Sequence, residues 1–257
     1  MRAACRKSLF DKLRAGHRSE ERSIGTRMTI AENIARIREN MAAAAREAGR
    51  DPKEILLVGA SKMNDAAACR AAIAAGIDAL GENRVQEMVQ KLEEHAYDGA
   101  PLHFIGHLQR NKVKQVVGHV ALIQSVGSLE LLDEIEKVAA ARDLVQDILL
   151  EVNIGREAAK SGFAPEEVLP AAEAALERTH VRVRGLMTIP PADADRDANF
   201  RYFQEVQALY VDMDQKLFHN KLEYLSMGMS GDYEDAIRAG ATMVRVGSAI
   251  FGARHYN

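Results

Sequence analysis

Short apolar runs alternate with amphipathic segments along most of the chain. The apolar runs predict buried strands at residues 55–60, 77–80, 102–105, 120–124, 147–153, 181–187, 222–226 and 242–246. Helical spacing of apolar residues predicts helices near 65–75, 84–95, 109–117, 129–141, 166–178, 197–218 and 232–239. Eight strands that alternate with helices favour a single-domain (β/α)8 TIM barrel, although an open doubly wound sheet has the same local pattern.

One more helix is predicted before the first strand, because apolar residues recur at helical spacing over residues 30–41. Thr29 and Glu32 match the pattern of a capping box, so the folded domain is expected to begin beside them. We therefore divide the chain into residues 1–27, a predicted disordered extension, and residues 28–257, a predicted barrel domain with an additional N-terminal helix.

Composition and charge argue against several classes of protein. The chain has 257 residues, 47% of them hydrophobic, and no apolar stretch is long enough to cross a bilayer. Residues 1–27 carry a net charge of +5, so the remainder carries −8, and it lacks the basic stripe that binds nucleic acid. Two cysteines are too few for a disulfide framework or a zinc site, which favours a reducing, cytoplasmic location. We expect no membrane, nucleic-acid or metal partner, and a monomer or weak dimer.

Lys62 is the first candidate for covalent chemistry. It directly follows the apolar run of residues 55–61, where a buried strand ends and a loop begins. Loss of hydration there disfavours the ammonium form, so we expect a lowered pKa and an amine that attacks carbonyl groups near neutral pH. The alternative is a lysine whose stem lies along the strand end while its ammonium group stays in solvent.

Two Gly/Ser-rich segments near the end of the chain have the composition of phosphate-binding loops. Residues 226–232 lie at the end of the seventh predicted strand, and residues 245–252 lie at the end of the eighth. Each leads into a helix start, where backbone N–H groups and a serine hydroxyl group can bind an anion. Such turns also simply cap helices. Two in succession at the last two strands, however, match the usual phosphate position of (β/α)8 barrels.

Arg245 lies inside the eighth apolar strand, which predicts that it is buried. A buried guanidinium group is costly unless it is paired, so either a carboxylate such as Glu151 or a ligand is expected to meet it. For a phosphorylated aromatic aldehyde held between Lys62 and the phosphate loops, Arg245 could reach the ring nitrogen. Arginine keeps its proton, so that nitrogen would stay unprotonated and the ring would be a weaker electron sink.

Other polar residues also follow predicted strands, as a barrel site requires. They are Glu82 and Asn83 after strand two, His107 after strand three, Asn153 at the end of strand five and Thr188 at the end of strand six. Structural roles are an alternative for several of the polar residues: a helix N-cap for Asn83, a satisfied core imidazole group for His103, and a buried pair for Glu151 with Asn153.

Six ordered segments carry a resemblance to a known family. They are residues 58–62 (VGASK), 80–87 (LGENRVQE), 103–109 (HFIGHLQ), 185–188 (GLMT), 225–230 (LSMGMS) and 244–252 (VRVGSAIFG). From about residue 28 to residue 254 the chain resembles the pyridoxal phosphate homeostasis proteins (YggS/PROSC type), which are single-domain relatives of the alanine racemase barrel. Met63-Asn64 and Ser248 depart from that family's usual residues, and the second change keeps the hydroxyl group.

The resemblance implies pyridoxal 5'-phosphate as the cofactor. In that family's pattern Lys62 forms the internal Schiff base, Arg245 faces the pyridine nitrogen, and Ser230, Gly247 and Ser248 hold the phosphate. We add Asn83, at the end of the second predicted strand, to the candidate cofactor-binding residues. No residue is assigned a catalytic role, and Lys62 is the one candidate for such a role.

The function implied by the resemblance is intracellular homeostasis of this cofactor, held as an exchangeable Schiff base and passed to apo-enzymes that need it, without clear turnover. The alternative is a cofactor-dependent amino-acid racemase. Two-base racemases of this type take a tyrosine from a second domain, and the chain ends shortly after the eighth predicted strand, so we expect that domain to be missing. Tyr97, Tyr233 or Tyr256 would have to replace it. A third possibility, a Schiff-base aldolase of sugar phosphates, shares the lysine and the phosphate loops.

Overall fold

The computed structural model describes residues 28–252, in which eight parallel strands close into a barrel. Every strand pairs with its neighbours in sequence, and β8 pairs with β1. The strands are β1 (Leu56–Ala60), β2 (Ala79–Glu82), β3 (Leu102–Phe104), β4 (Leu122–Val126), β5 (Gln146–Val152), β6 (Val181–Thr188), β7 (Tyr224–Ser226) and β8 (Met243–Val246). The closed order confirms the predicted (β/α)8 barrel and excludes an open sheet. The predicted extension, residues 1–27, lies outside the described residues.

Helices surround the barrel in the predicted order. They are α1 (Ile30–Glu47), α2 (Ala66–Ala74), α3 (Val85–Glu93), α4 (Val113–Val116), α5 (Leu129–Ala141), α6 (Val168–Leu176), α7 (Arg196–Met213), α8 (Tyr233–Arg238) and α9 (Ser248–Phe251). None of those in residues 28–252 combines the length and the apolar character that a membrane crossing requires.

The additional helix α1 begins as its sequence predicts. The Thr29 hydroxyl group accepts a hydrogen bond from the Glu32 N–H at 3.2 Å, and the Glu32 carboxylate accepts one from the Thr29 N–H at 2.7 Å. The apolar face of α1 packs on the barrel layer, where Ile34 and Ile37 are buried. Asn33 donates a hydrogen bond to the carbonyl oxygen of Ile250 in α9, so the first helix also fixes the last one.

Alternation along the strands separates two apolar layers. Most buried residues lie between the strands and the helices, whereas the barrel interior holds a small set: Val58, Ala79, Leu122, Leu149, Met187 and Met243. Successive side chains of a strand point to opposite faces, so the interior positions of β8 are Met243 and Arg245. The charged side chain of Arg245 therefore lies in the barrel interior, next to the apolar layer that contains Met243.

Two strands end two residues later than the apolar pattern predicts. β2 continues to Glu82 and β4 continues to Val126, two residues beyond the predicted ends. Both extensions contain polar side chains that have partners inside the fold: Glu82 binds Lys91 through Oε1, and Ser125 donates to the carbonyl oxygen of Gly106. Polar residues end an apolar run in a sequence, but a strand continues through them when tertiary partners compensate their burial.

Candidate cofactor site

The six candidate cofactor-binding residues lie at one end of the barrel. All strands are parallel, so the loops that follow them open at the same rim. Lys62 and Asn83 follow β1 and β2, Arg245 lies in β8, and Gly247 with Ser248 begins α9. Ser230 lies in the loop after β7. Since β7, β8, β1 and β2 are consecutive in the barrel, these residues occupy one contiguous arc of the rim.

Lys62 is half-buried at the first turn beyond β1. Leu56 and Val58 face the barrel interior, and the same alternation, continued beyond the strand, assigns Lys62 to the inner side of the rim. Its carbonyl oxygen accepts a hydrogen bond from the Asn64 side-chain amide at 3.0 Å, and the Asn64 N–H group closes the turn by donating to the Ser61 carbonyl oxygen at 3.1 Å. The loop therefore presents the lysine at the rim that the phosphate-loop candidates share.

A chain of hydrogen bonds crosses the barrel interior below this rim. Arg245 donates to the Ser226 hydroxyl oxygen at 2.6 Å and to the Thr188 carbonyl oxygen at 2.8 Å. Ser226 donates to Oε1 of Gln124 at 2.7 Å, and Nε2 of Gln124 lies 3.0 Å from Nδ1 of His103. Four strands are thus joined through side chains from β8, β7, β4 and β3. The sequence pattern predicts no role for Gln124, because a glutamine inside an apolar run has no characteristic spacing.

The donor and acceptor roles along this series of hydrogen bonds determine where the protons lie. Arg245 can only donate, so the Ser226 proton points to Gln124, which in turn directs its NH2 group to His103. His103 therefore accepts at Nδ1 and carries its proton on Nε2. Burial lowers the pKa of His103 to about 4, which keeps the imidazole group neutral. The structural alternative for His103, a satisfied core imidazole group, agrees with this geometry.

We expect His103 to make the protein less stable in acid. Its pKa falls from 6.5 in the unfolded chain to about 4 in the folded chain, so the unfolded state binds more protons between these values. The free energy of unfolding should therefore fall as the pH drops through this window, by about 3 kcal/mol from this group. Urea unfolding across the window should show a shallower pH dependence for His103→Gln than for the original chain. An identical dependence in both would contradict the assignment.

Arg245 is 3% exposed and is surrounded by neutral acceptors. Burial lowers its pKa to about 10, against the attraction of Asp232 and Glu151, so it remains a cation at neutral pH. Glu151 is not the direct partner that burial of Arg245 suggests, because its carboxylate accepts from Ser161 at 2.9 Å and acts on Arg245 only through its field. Burial raises the pKa of Glu151, which makes it a weaker counter-charge still. The guanidinium charge is therefore only partly compensated by this chain.

Ser230 and the start of α9 form a polar cup at the two segments that the Gly/Ser pattern singles out. The Ser230 hydroxyl oxygen accepts hydrogen bonds from the N–H groups of Gly247 at 3.2 Å and Ala249 at 3.3 Å. These N–H groups have no partner within their own helix, because they belong to its first turn. A side chain at Gly247 would place its Cβ 3.3 Å from the Ala60 carbonyl oxygen, so glycine keeps this approach to β1 open.

Asn83 lines a cavity of about 410 Å³ at the same rim, together with His107, Glu151, Asn153 and Ser161. Its Oδ1 atom is buried and has no hydrogen-bond partner among the described residues. Helix α3 begins after Arg84, so the structural alternative of Asn83 as its N-cap was wrong. Gly106 fixes the Asn83 backbone, since a Cβ there would lie 2.2 Å from the Asn83 carbonyl oxygen.

A buried ionic network behind the Lys62 loop was missed from the sequence. Lys91 of α3 donates to Glu82 at 2.7 Å, to Glu87 at 2.8 Å and to the carbonyl oxygen of Ser61 at 2.9 Å. Burial raises the pKa of the Glu82 carboxyl group, and hydrogen bonds from Lys91 and Ser61 oppose that shift. The signal available in the sequence was the i,i+4 pair Glu87 and Lys91, which is typical of exposed helix faces. Across residues 28–252, no cluster of His, Cys, Asp or Glu suited to a metal ion is found.

The chain is similar to known proteins along most of its length. A family model described as the N-terminal domain of alanine racemase matches residues 33–255. The pyridoxal phosphate homeostasis protein of Aquifex aeolicus is 42% identical over 229 residues, which are 89% of this chain and 100% of that protein. The protein of the same name from Escherichia coli K12 is 38% identical over 231 residues, 89% of this chain and 98% of that protein.

Solved structures agree with this result. PipY of Synechococcus elongatus PCC7942, in a structure with PLP bound, is 31% identical with a TM-score of 0.76, covering 87% of this chain and 100% of that chain. Alanine racemase of Clostridium difficile 630 is 17% identical with a TM-score of 0.68, covering 89% of this chain and 57% of that chain. The second likeness concerns the fold alone.

Proposed function

The chain belongs to the family of pyridoxal phosphate homeostasis proteins, and we propose that it binds pyridoxal 5'-phosphate (PLP) as a Schiff base on Lys62 and takes part in intracellular PLP homeostasis without catalytic turnover. One observation carries the proposal. An amine after β1, a buried cation in β8, and a cup made by the Ser230 hydroxyl group after β7 and the N–H groups after β8 lie along one arc of the rim.

The polar cup fits the phosphate group. The N–H groups of Gly247 and Ala249 converge on the Ser230 hydroxyl oxygen, so an anionic oxygen has donors at the same place. Ser248, between these two residues, adds a hydroxyl group at the helix start. Gly247 keeps the approach to Ala60 free of a side chain. In the proposed complex, Ser230, Gly247 and Ser248 hold the phosphate.

The interior cation fits the pyridine nitrogen. Arg245 is held by Ser226 and Thr188, and its charge is only partly compensated by Asp232 and Glu151. An arginine donates a hydrogen bond to an aromatic nitrogen but keeps its proton, so the nitrogen stays unprotonated. Bound PLP supplies an aldehyde carbon that a primary amine attacks, and a ring that withdraws electrons. In this arrangement Arg245 weakens the electron withdrawal by the ring and leaves the reactivity of the aldehyde carbon intact. Asn83, with its buried and unpartnered Oδ1, is proposed to contact the cofactor from β2.

The positions of the tyrosines support a binding function over racemisation. A two-base racemase needs a tyrosine that faces the cofactor. The Tyr97 hydroxyl group donates to Glu82 behind the barrel wall, and the Tyr233 hydroxyl group accepts from Asn40 of α1. Both are therefore engaged away from Lys62, while Tyr256 lies outside the described residues. The same proposal treats residues 28–257 as the PLP-binding domain and apo-enzymes that require PLP as its recipients.

Two assays on the PLP-loaded protein test this proposal. Mixed with an apo-enzyme that requires PLP, the loaded protein should restore activity, and borohydride reduction beforehand should abolish the transfer because it fixes the cofactor. Incubated with L-alanine in deuterated water, it should incorporate no more Cα deuterium than free PLP does. Multiple turnovers of deuterium incorporation would favour the racemase instead. Failure to take up PLP at all would reject both functions.

A further inference from the structure

We propose that Glu87 and Lys91 of α3 are positioning residues that clamp the backbone on both sides of Lys62 and so set how long the lysine retains PLP. This inference rests on the proposed function. It concerns residues outside the barrel rim, which act on the cofactor through the Lys62 segment and not by touching the cofactor.

The clamp holds the residue before Lys62 and the residue after it. Lys91 donates to the Ser61 carbonyl oxygen at 2.9 Å, and the Ser61 hydroxyl group donates to Glu82 at 2.6 Å. On the other side, Glu87 accepts a hydrogen bond from the N–H group of Met63. Lys91 joins both arms, because it also donates to Glu87 at 2.8 Å. The peptide groups that flank Lys62 are therefore both attached to α3, one through Lys91 and the other through Glu87.

The network is buried where a stabilising role alone would not require charge. Lys91 is 5% exposed and Glu82 is fully buried. Ion pairs in such places often add little stability relative to apolar residues of the same volume, because both charges lose hydration. One oxygen of Glu82 accepts from Ser61, Lys91 and Tyr97, while its Oε2 has no partner among the described residues. The network thus makes hydrogen bonds to the Lys62 loop while one of its own buried oxygens is left without a partner among the described residues.

Met63 shows what the clamp holds in place. Its φ angle is +62°, in the left-handed region that residues with a side chain rarely adopt, and its side chain is 49% exposed. Packing of this side chain does not explain the conformation, since the side chain is largely in solvent. The angle belongs to a turn that the Asn64 N–H group closes by donating to the Ser61 carbonyl oxygen at 3.1 Å. The hydrogen bond from the Met63 N–H group to Glu87 holds the peptide group between Lys62 and Met63 against α3. Without the acceptor, the turn that carries Lys62 should relax to more than one conformation.

The test replaces the acceptor and compares three variants of α3. Glu87→Leu removes the hydrogen-bond acceptor of Met63, Glu87→Gln keeps an oxygen acceptor, and Glu93→Leu makes the same change at an exposed position of the same helix. In protein without cofactor, amide hydrogen exchange at Met63 should be about tenfold faster in Glu87→Leu and unchanged in the other two. In PLP-loaded protein, dilution should release PLP about tenfold faster from Glu87→Leu, which corresponds to about 1.4 kcal/mol.

Lys91→Met should also speed PLP release, because the Ser61 carbonyl oxygen loses its hydrogen bond from Lys91. It leaves buried carboxylates without a counter-charge, so its folding is checked by circular dichroism, and Glu87→Leu decides the question if Lys91→Met does not fold. Wild-type release from Glu87→Leu would overturn the inference, even if exchange at Met63 increased. Equal effects of Glu87→Leu and Glu93→Leu would overturn it as well. A wild-type protein without an adduct that borohydride fixes would instead reject the proposed function, and this inference with it.

Discussion

Lys62→Ala should abolish the PLP adduct completely. Incubated with PLP, the original chain should develop the visible absorption of a Schiff base, and borohydride should fix the cofactor on the peptide that contains Lys62. The variant should show neither, because the half-buried amine at the end of β1 is the proposed nucleophile. The polar cup and Arg245 are unchanged in this variant, so weak, noncovalent PLP binding should remain. Absorption spectra and peptide mass spectrometry after reduction measure both properties.

Lys53→Ala is the matched control for this experiment. Lys53 is an exposed lysine just before β1, at the opposite end of the barrel from Lys62. Its replacement should leave the adduct unchanged. If Lys62→Ala retained the reducible adduct at the original level, the Schiff base would lie on another lysine, and the solvent-exposed alternative for Lys62 would be correct.

Arg245→Gln should weaken PLP binding by roughly tenfold to hundredfold while changing the stability of the cofactor-free protein little. A hydrogen bond to a charged group contributes about 1.5 to 3 kcal/mol, which sets the expected loss of affinity. The glutamine amide can still donate to Ser226 or Thr188, so the interior chain of hydrogen bonds stays largely satisfied. Removing a buried charge also relieves its desolvation. Equilibrium titration with PLP and urea unfolding of the cofactor-free variant give the two quantities.

Arg184→Gln is the matched control, and it should lower stability without changing PLP affinity. Arg184 lies at the amino-terminal end of the barrel, where it binds Asp147 and Glu223 and stacks over Tyr224. The substitution should lower the free energy of unfolding by roughly 1 to 3 kcal/mol and leave PLP affinity unchanged. If both arginine variants lost stability and kept affinity, Arg245 would be a structural residue, and its proposed contact with the pyridine nitrogen would be wrong.

The sequence predicted the elements of the barrel well and their ends less well. Predicted and observed bounds agree for α5, and the capping box of Thr29 and Glu32 begins α1 as expected. These features are local, since they depend on residues within one or two turns of each other. The ends of β2 and β4 were wrong because Glu82 and Ser125 find partners that are distant in the sequence or on another element. A local pattern contains no information on such partners.

The candidate site divides in the same way. By itself, the sequence determined that Lys62 follows a buried strand, that Arg245 is buried and that Gly/Ser turns follow the last two strands, because apolar alternation and residue type are enough to establish these points. Only the tertiary structure decided which acceptors Arg245 meets, since Ser226 binds a glutamine 102 positions earlier in the chain. It also decided that Glu87 and Lys91 face the Lys62 loop and not solvent. Hydrogen-bond partners follow from how the strands and helices pack, and that packing brings together residues whose separation in the sequence carries no pattern.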